Sequence, residues 1–147
     1  MAEADLDATR ALVLSLKPRF AEAILTGNKT VELRRIMPRI TIPTLALLYA
    51  TGPERSLVGT CIVHSVARLP IDVLWRRHGA KTALAKSEFE AYLTGRDEGV
   101  ALFLERPDRL PAPVPLHALR RAGNFRPPQS LAYVRHDQRQ RLIAALQ

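Results

Sequence analysis

The chain has 147 residues, of which 47% are hydrophobic and 24% charged, and it carries a net charge of +8. This length suits one hydrophobic core rather than two domains, and the composition excludes disorder and fibrous repeats. No apolar run nears the roughly 18 residues of a membrane span, and the acidic start (Glu3, Asp5, Asp7) is unlike a secretory or mitochondrial signal, so the chain reads as cytoplasmic.

Charge is unevenly spread. Residues 1–10 carry three acids and one base, which leaves 21 basic against 11 acidic side chains on the remainder. A surplus of that size favours polyanionic partners, because cations set against phosphates release condensed counterions. From Pro111 onward six arginines (Arg120, Arg121, Arg126, Arg135, Arg139, Arg141) stand against Asp137 alone, as either a solvated face or a binding surface.

In chain order, residues 1–10 lack apolar periodicity and read as a mobile tail. Ala11 to Leu16 is an apolar run of strand length. Pro18 suits a first helical turn, Phe20, Ala23 and Ile24 mark one helix face, and Gly27 supplies the stop. Lys29 to Arg35 alternates in period two, with Val31 and Leu33 on one side and Thr30, Glu32 and Arg34 on the other. Thr44 to Ala50 and Leu57 to Val66 are further strands, joined through Thr51-Gly52-Pro53 as a hairpin. Cys61 falls within the second of these and reads as core; a lone cysteine can form neither an internal disulfide nor a cysteine-rich zinc site.

Helical spacing returns at Ile71 to His78, ending at Gly79. It recurs at Glu88 to Thr94, where Ser87 and Glu90 have capping-box spacing, Phe89, Tyr92 and Leu93 face inward, and Gly95 ends the helix. Val100 to Leu104 is a strand, followed by a stretch dense in proline (Pro107, Pro111, Pro113, Pro115). Leu131 to Val134 is a short last strand, with a terminal helix from about Asp137 within residues 136–147. Consecutive strands without helical crossovers predict an α+β fold built on a curved, mostly antiparallel sheet or small β-barrel with flanking short helices.

The sharpest local feature is Gly27-Asn28-Lys29-Thr30-Val31-Glu32-Leu33-Arg34, a helix stop followed at once by a charged strand. Side-chain alternation puts Glu32 and Arg34 on one side, roughly 7 Å apart, so they can pair or jointly line a cleft that Lys29 overhangs. The alternative reading of the same residues is an exposed ion-pair network with Lys29 in solvent. The histidines (His64, His78, His117, His136) are scattered, and neither a metal-ligand cluster nor a phosphate-binding glycine loop is present, so no metal or cofactor is expected.

Gly27, Lys29, Glu32 and Arg34 match a Gly-x-Lys-x-x-Glu-x-Arg signature, and the segment resembles the ASCH motif of the PUA-like superfamily. Ser15-Leu16-Lys17-Pro18 with Phe20 and Ala21, Tyr49-Ala50-Thr51 and Val58-Gly59 are similar to the same family's first helix and neighbouring strands, and Phe125-Arg126-Pro127-Pro128-Gln129-Ser130 resembles one bacterial branch. The resemblance covers roughly residues 12 to 105. It implies a PUA-like fold, over about residues 11–135, with a cleft beside the motif strand that binds RNA, a single-stranded nucleic acid or a modified nucleotide; this is an inference from fold.

On that basis the expected binding residues are Lys17, Lys29, Glu32 and Arg34, with Gln129 and Ser130 as further hydrogen-bonding groups. Tyr49 and Phe125 are expected as stacking platforms, chosen over Trp75 and Tyr133 from a chain with 5% aromatics. Two alternatives stand beside binding. Glu32, Lys29 and Arg34 would be catalytic in an enzyme acting on RNA, as base, cation and acid in that order around a 2′-hydroxyl. A deacetylase of acetylcytidine, as in a distant branch, needs a threonine where this chain has Glu32, and Gly79 to Lys86 offers no carboxylate. The other alternative is a protein-interaction module of a transcriptional regulator.

Overall fold

The computed structural model describes residues 10–134 and 136–146. The tail expected over residues 1–10 therefore lies outside the described residues except for Arg10, whose guanidinium sits 3.6 Å from the Tyr133 ring centroid. The elements are β1 (Ala11–Leu16), α1 (Pro18–Leu25), β2 (Val31–Arg34), β3 (Thr44–Ala50), β4 (Ser56–Pro70), α2 (Ile71–His78), α3 (Lys86–Tyr92), β5 (Glu98–Pro115), α4 (Leu116–Gly123), β6 (Leu131–Val134) and α5 (His136–Ala145). No helix among the described residues is long and apolar enough to cross a membrane.

One six-stranded sheet has the order β2-β5-β4-β3-β1-β6. β1 and β3 run parallel, while every other neighbouring pair is antiparallel. The sheet is not closed into a barrel: β2 and β6 are its two edges, and no ladder joins them. Its class, α+β with a small curved sheet and short flanking helices, is the one the strand order predicted.

β1 is apolar almost throughout because both faces of the sheet are covered. Leu12, Leu14 and Leu16 pack with Ile24 of α1 and with Leu48, Val63 and Leu102. Ala11 and Val13 point the other way, into Leu47, Leu57, Leu119, Phe125 and Leu142 beneath α4 and α5. A third cluster, Val31, Leu33, Leu74, Phe89, Leu93 and Ala101, seats α2 and α3 on the β2 end of the sheet.

Three details depart from the sequence reading. β5 does not stop at Leu104 but continues through the prolines to Pro115, paired with β4 across repeated register shifts. Such bulges leave ladder positions that need no donor, which is where proline is tolerated in a strand. α4 then follows in a stretch read only as proline-rich; Leu116 and Leu119 are its sole strong apolar signal, and Asn124, at φ 52°, ends it. Finally, α3 starts before Ser87: the Ala85 N–H donates to Glu88 Oε1 at 3.0 Å, so the capping carboxylate is Glu88 and not Glu90.

Candidate functional site

α1 ends at Gly27, whose φ of +85° is the left-handed conformation that glycine adopts without a Cβ penalty. The turn is held by Lys29 N–H donating to Ala23 O, and Thr30 N–H then donates to Lys81 O. β2 follows on the sheet edge, paired with β5 alone. Its alternation is as expected, with Val31 and Leu33 under α3 and Glu32 and Arg34 on the opposite side.

That opposite side is not solvent. Lys29, Glu32 and Arg34 are 2%, 8% and 9% exposed, so the reading of an exposed network with Lys29 in water is wrong. Lys29 Nζ lies 3.1 Å from Glu32 Oε1, and Arg34 Nη2 donates to Glu32 Oε2 at 2.7 Å. Lys29 Nζ also donates to Thr82 O at 2.6 Å and sits 5.0 Å from the Phe20 ring centroid. Arg34 Nη1 donates to Ser130 Oγ at 2.7 Å, while the buried Arg34 Nε has no partner among the described residues. Burial pushes the Lys29 ammonium below its ordinary pKa, against the opposing pull of Glu32.

These three side chains form one wall of a cleft of about 440 Å³. Lys17, Arg19 and Phe20 come to it from the start of α1, Glu88 and Tyr92 from α3, and Gln129 from the segment before β6. Ser130 is tied to it through Arg34, and Ser15, which lines it, donates its hydroxyl to Pro128 O at 2.6 Å. Four cations therefore share the cleft with two carboxylates. A cleft of this size and charge has room for an anionic or strongly hydrogen-bonding group the size of a nucleotide portion.

Lys17, Lys29, Glu32, Arg34 and Gln129 thus meet around one space. Tyr49 and Phe125 do not. They are 3% and 1% exposed, meet edge to face at 5.6 Å, and lie in the cluster beneath α4 and α5, so no base can stack on them there. Strand parity is the reason: Leu48 faces the α1 side, so Tyr49 points to the other.

Sequence reasoning missed Arg19, Glu88 and Tyr92. Glu88 carries the lesson of the shifted helix start, since a cap two residues earlier turns this carboxylate into the cleft, where it pairs with Arg19. Tyr92 packs half-buried against the Phe89 and Leu93 cluster, as expected, and it also lines the cleft, its hydroxyl donating to Leu33 O at 3.2 Å. Among the described residues no three His, Cys, Asp or Glu side chains gather as a metal site.

The fold agrees with comparisons to known proteins. The model of the ASCH domain matches residues 14–102, and the chain belongs to the ASCH domain family. It is 33% identical over 141 residues, 95% of each chain, to an ASCH domain-containing ribonuclease of Zymomonas mobilis. The crystal structure of ASCH from Zymomonas mobilis superposes with a TM-score of 0.87 at 32% identity, over 94% of this chain and 96% of that one. The N-terminal domain of Staphylothermus marinus McrB superposes at 0.58 with 10% identity, over 91% and 93% of the two chains, a likeness of fold alone.

Proposed function

We propose that this protein binds single-stranded RNA in the cleft beside β2 and cleaves it. The observation that carries the reading is the buried Lys29–Glu32–Arg34 network on a cleft wall. A buried ion network is a weak device for stability, often matched by apolar residues of similar volume, so its presence beside an open cleft is better accounted for by a ligand. The net charge of +8 and the ribonuclease name of the Zymomonas mobilis relative support RNA as that ligand. The cytoplasm is the compartment proposed for it.

Lys17, Arg34, Gln129 and Ser130 hold the strand in this reading. Both Glu32 oxygens are engaged by cations, so Glu32 organises Lys29 and Arg34 rather than taking a proton. Lys29, whose proton is held less tightly than in water, suits the acid–base role. Neutral Lys29 takes the proton of the 2′-hydroxyl as its oxygen attacks the adjacent phosphorus, the bond to the 5′-oxygen breaks, and Lys29 passes the proton on to that leaving oxygen. The products are a 2′,3′-cyclic phosphate and a free 5′-hydroxyl. Arg34 stabilises the charge that develops between these steps.

The test is incubation of purified protein with end-labelled single-stranded RNA in excess chelator, beside the same sequence with 2′-deoxy sugars. Cleavage of RNA to cyclic-phosphate ends, with the deoxy strand intact, supports the reading. RNA left whole, or deoxy strand cut at the same rate, overturns it.

A further inference from the structure

The cleft has a neighbour. A hollow of about 330 Å³ lies where the chain leaves β2, lined by Arg35, Arg68 and Arg96 together with Ile36, Asp97 and Glu98. Successive residues of one segment serve the two spaces: Leu33 and Arg34 line the cleft, Arg35 and Ile36 the hollow. Between them stands Tyr92, fixed from both sides. Its hydroxyl donates to Leu33 O at 3.2 Å, its carbonyl accepts from Arg35 Nε at 2.7 Å, and the Arg35 guanidinium lies 4.4 Å from its ring centroid.

Resting on the RNA reading above, we propose that this hollow is a second subsite for the same strand, so that RNA leaving the cleft passes over Tyr92 and sets its next phosphates against Arg68 and Arg96. The three arginines come from three different segments, the exit of β2, β4 and the turn before β5, and all are exposed. Among the described residues none of them is in a salt bridge, although Asp97 and Glu98 line the same hollow. Guanidinium groups in that state are available to phosphate oxygens, which they bind in bidentate fashion. Ile36, 69% exposed, gives the hollow an apolar surface against which a base can lie. Tyr92 with the Arg35 guanidinium over its ring gives the crossing a joined cation and aromatic surface, the combination that single-strand tracks use.

The experiment measures binding of two 2′-O-methyl oligonucleotides, which resist cleavage. One is a dinucleotide, short enough for the cleft alone, and the other is about twelve nucleotides long, within the span one domain tracks. Proteins compared are the wild type, Arg68→Ala/Arg96→Ala, and Arg76→Ala/Arg77→Ala, which removes equal charge from exposed positions of α2 outside both spaces. Arg35 is kept because it positions Tyr92. The hollow variant is expected to bind the long strand about tenfold more weakly, with a salt slope shallower by about 1.4 for two lost phosphate contacts, and to bind the dinucleotide as the wild type does. Unchanged long-strand binding overturns the subsite, as does an equal loss in the α2 variant or an equal loss on the dinucleotide. Wild type that binds neither strand overturns the RNA reading itself, and the subsite with it.

Discussion

Arg34 and Ser130 lie 96 positions apart, yet Arg34 Nη1 donates to Ser130 Oγ at 2.7 Å. Arg34 ends β2 and Ser130 immediately precedes β6, so the bond links the two edges of the sheet without a backbone ladder. Backbone at Ser130 is fixed as well, its carbonyl accepting from Ser15 N–H at 2.9 Å. The curl of the sheet is thus fastened by side chains at the cleft, and a ligand there meets both edges at once.

Ser130→Ala removes that fastening and leaves a second nitrogen of Arg34 without its partner. Stability is expected to fall by about 1 kcal/mol, as for a hydrogen bond at a partly exposed site. RNA affinity is expected to fall more than this implies, by several-fold, because Arg34 loses its orientation. Urea titration and oligonucleotide binding of the same protein check the two parts.

Glu32→Gln keeps the shape of the network and removes its only anion, leaving Lys29 and Arg34 buried without a counter-charge. Breaking a buried pair from one side costs roughly 3–5 kcal/mol. Lys29→Met in the Glu32→Gln background removes one of the stranded cations and is expected to recover part of that loss. A double-mutant cycle by denaturant unfolding measures the recovery; two losses that simply add would mean that the side chains do not interact.

The lowered pKa of Lys29 gives a pH dependence with a definite sign. Its ordinary value is 10.5 and the folded value lies below it. Between the two, the unfolded chain holds a proton that the folded chain has released, so this group's contribution to stability rises with pH and levels off above about 10.5. Lys29→Met lacks the titration. The stability of wild type minus that of the variant is therefore expected to increase on the alkaline side up to that pH, read from paired urea melts at each pH.

Gly27→Ala places a Cβ on a residue at φ +85° with no heavy atom within 4 Å of it, so the cost is backbone strain alone. A loss of about 1 kcal/mol is expected. Gly27→Asn, which tolerates that conformation better, is expected to lose less, and a thermal melt of both variants ranks them.

Cys61 is buried and its thiol is pushed up to about 12 by burial, so it stays protonated at neutral pH. Native protein is expected to resist a thiol-specific reagent over hours and to react once, at full stoichiometry, in denaturant. Rapid native labelling would mean that the β3–β4 core opens readily.

The site was legible where chemistry follows strand parity and helix stops. Gly27, Lys29, Glu32 and Arg34 keep their order and side because a glycine stop and period-two alternation leave little freedom. Their burial was not legible, since it depends on α1, α3 and the residue 128–130 segment arriving from distant parts of the chain. Tyr49 failed for a nearby reason. A strand with both faces covered shows no polar alternation, so its apolar run does not say which face looks toward the cleft. α4 was hidden among prolines that bulged pairing accommodates, and Glu88 by a cap two residues from the one its spacing suggested.

The central claim is that RNA lies in the cleft between α1, β2 and α3, and a crystal structure with a 2′-O-methyl oligonucleotide tests it most directly. The expected result is a nucleotide within hydrogen-bonding distance of Lys17, Arg34 and Gln129, with the strand continuing past Tyr92. An oligonucleotide bound on another face, with the cleft beside Lys29 and Glu32 empty, would contradict it.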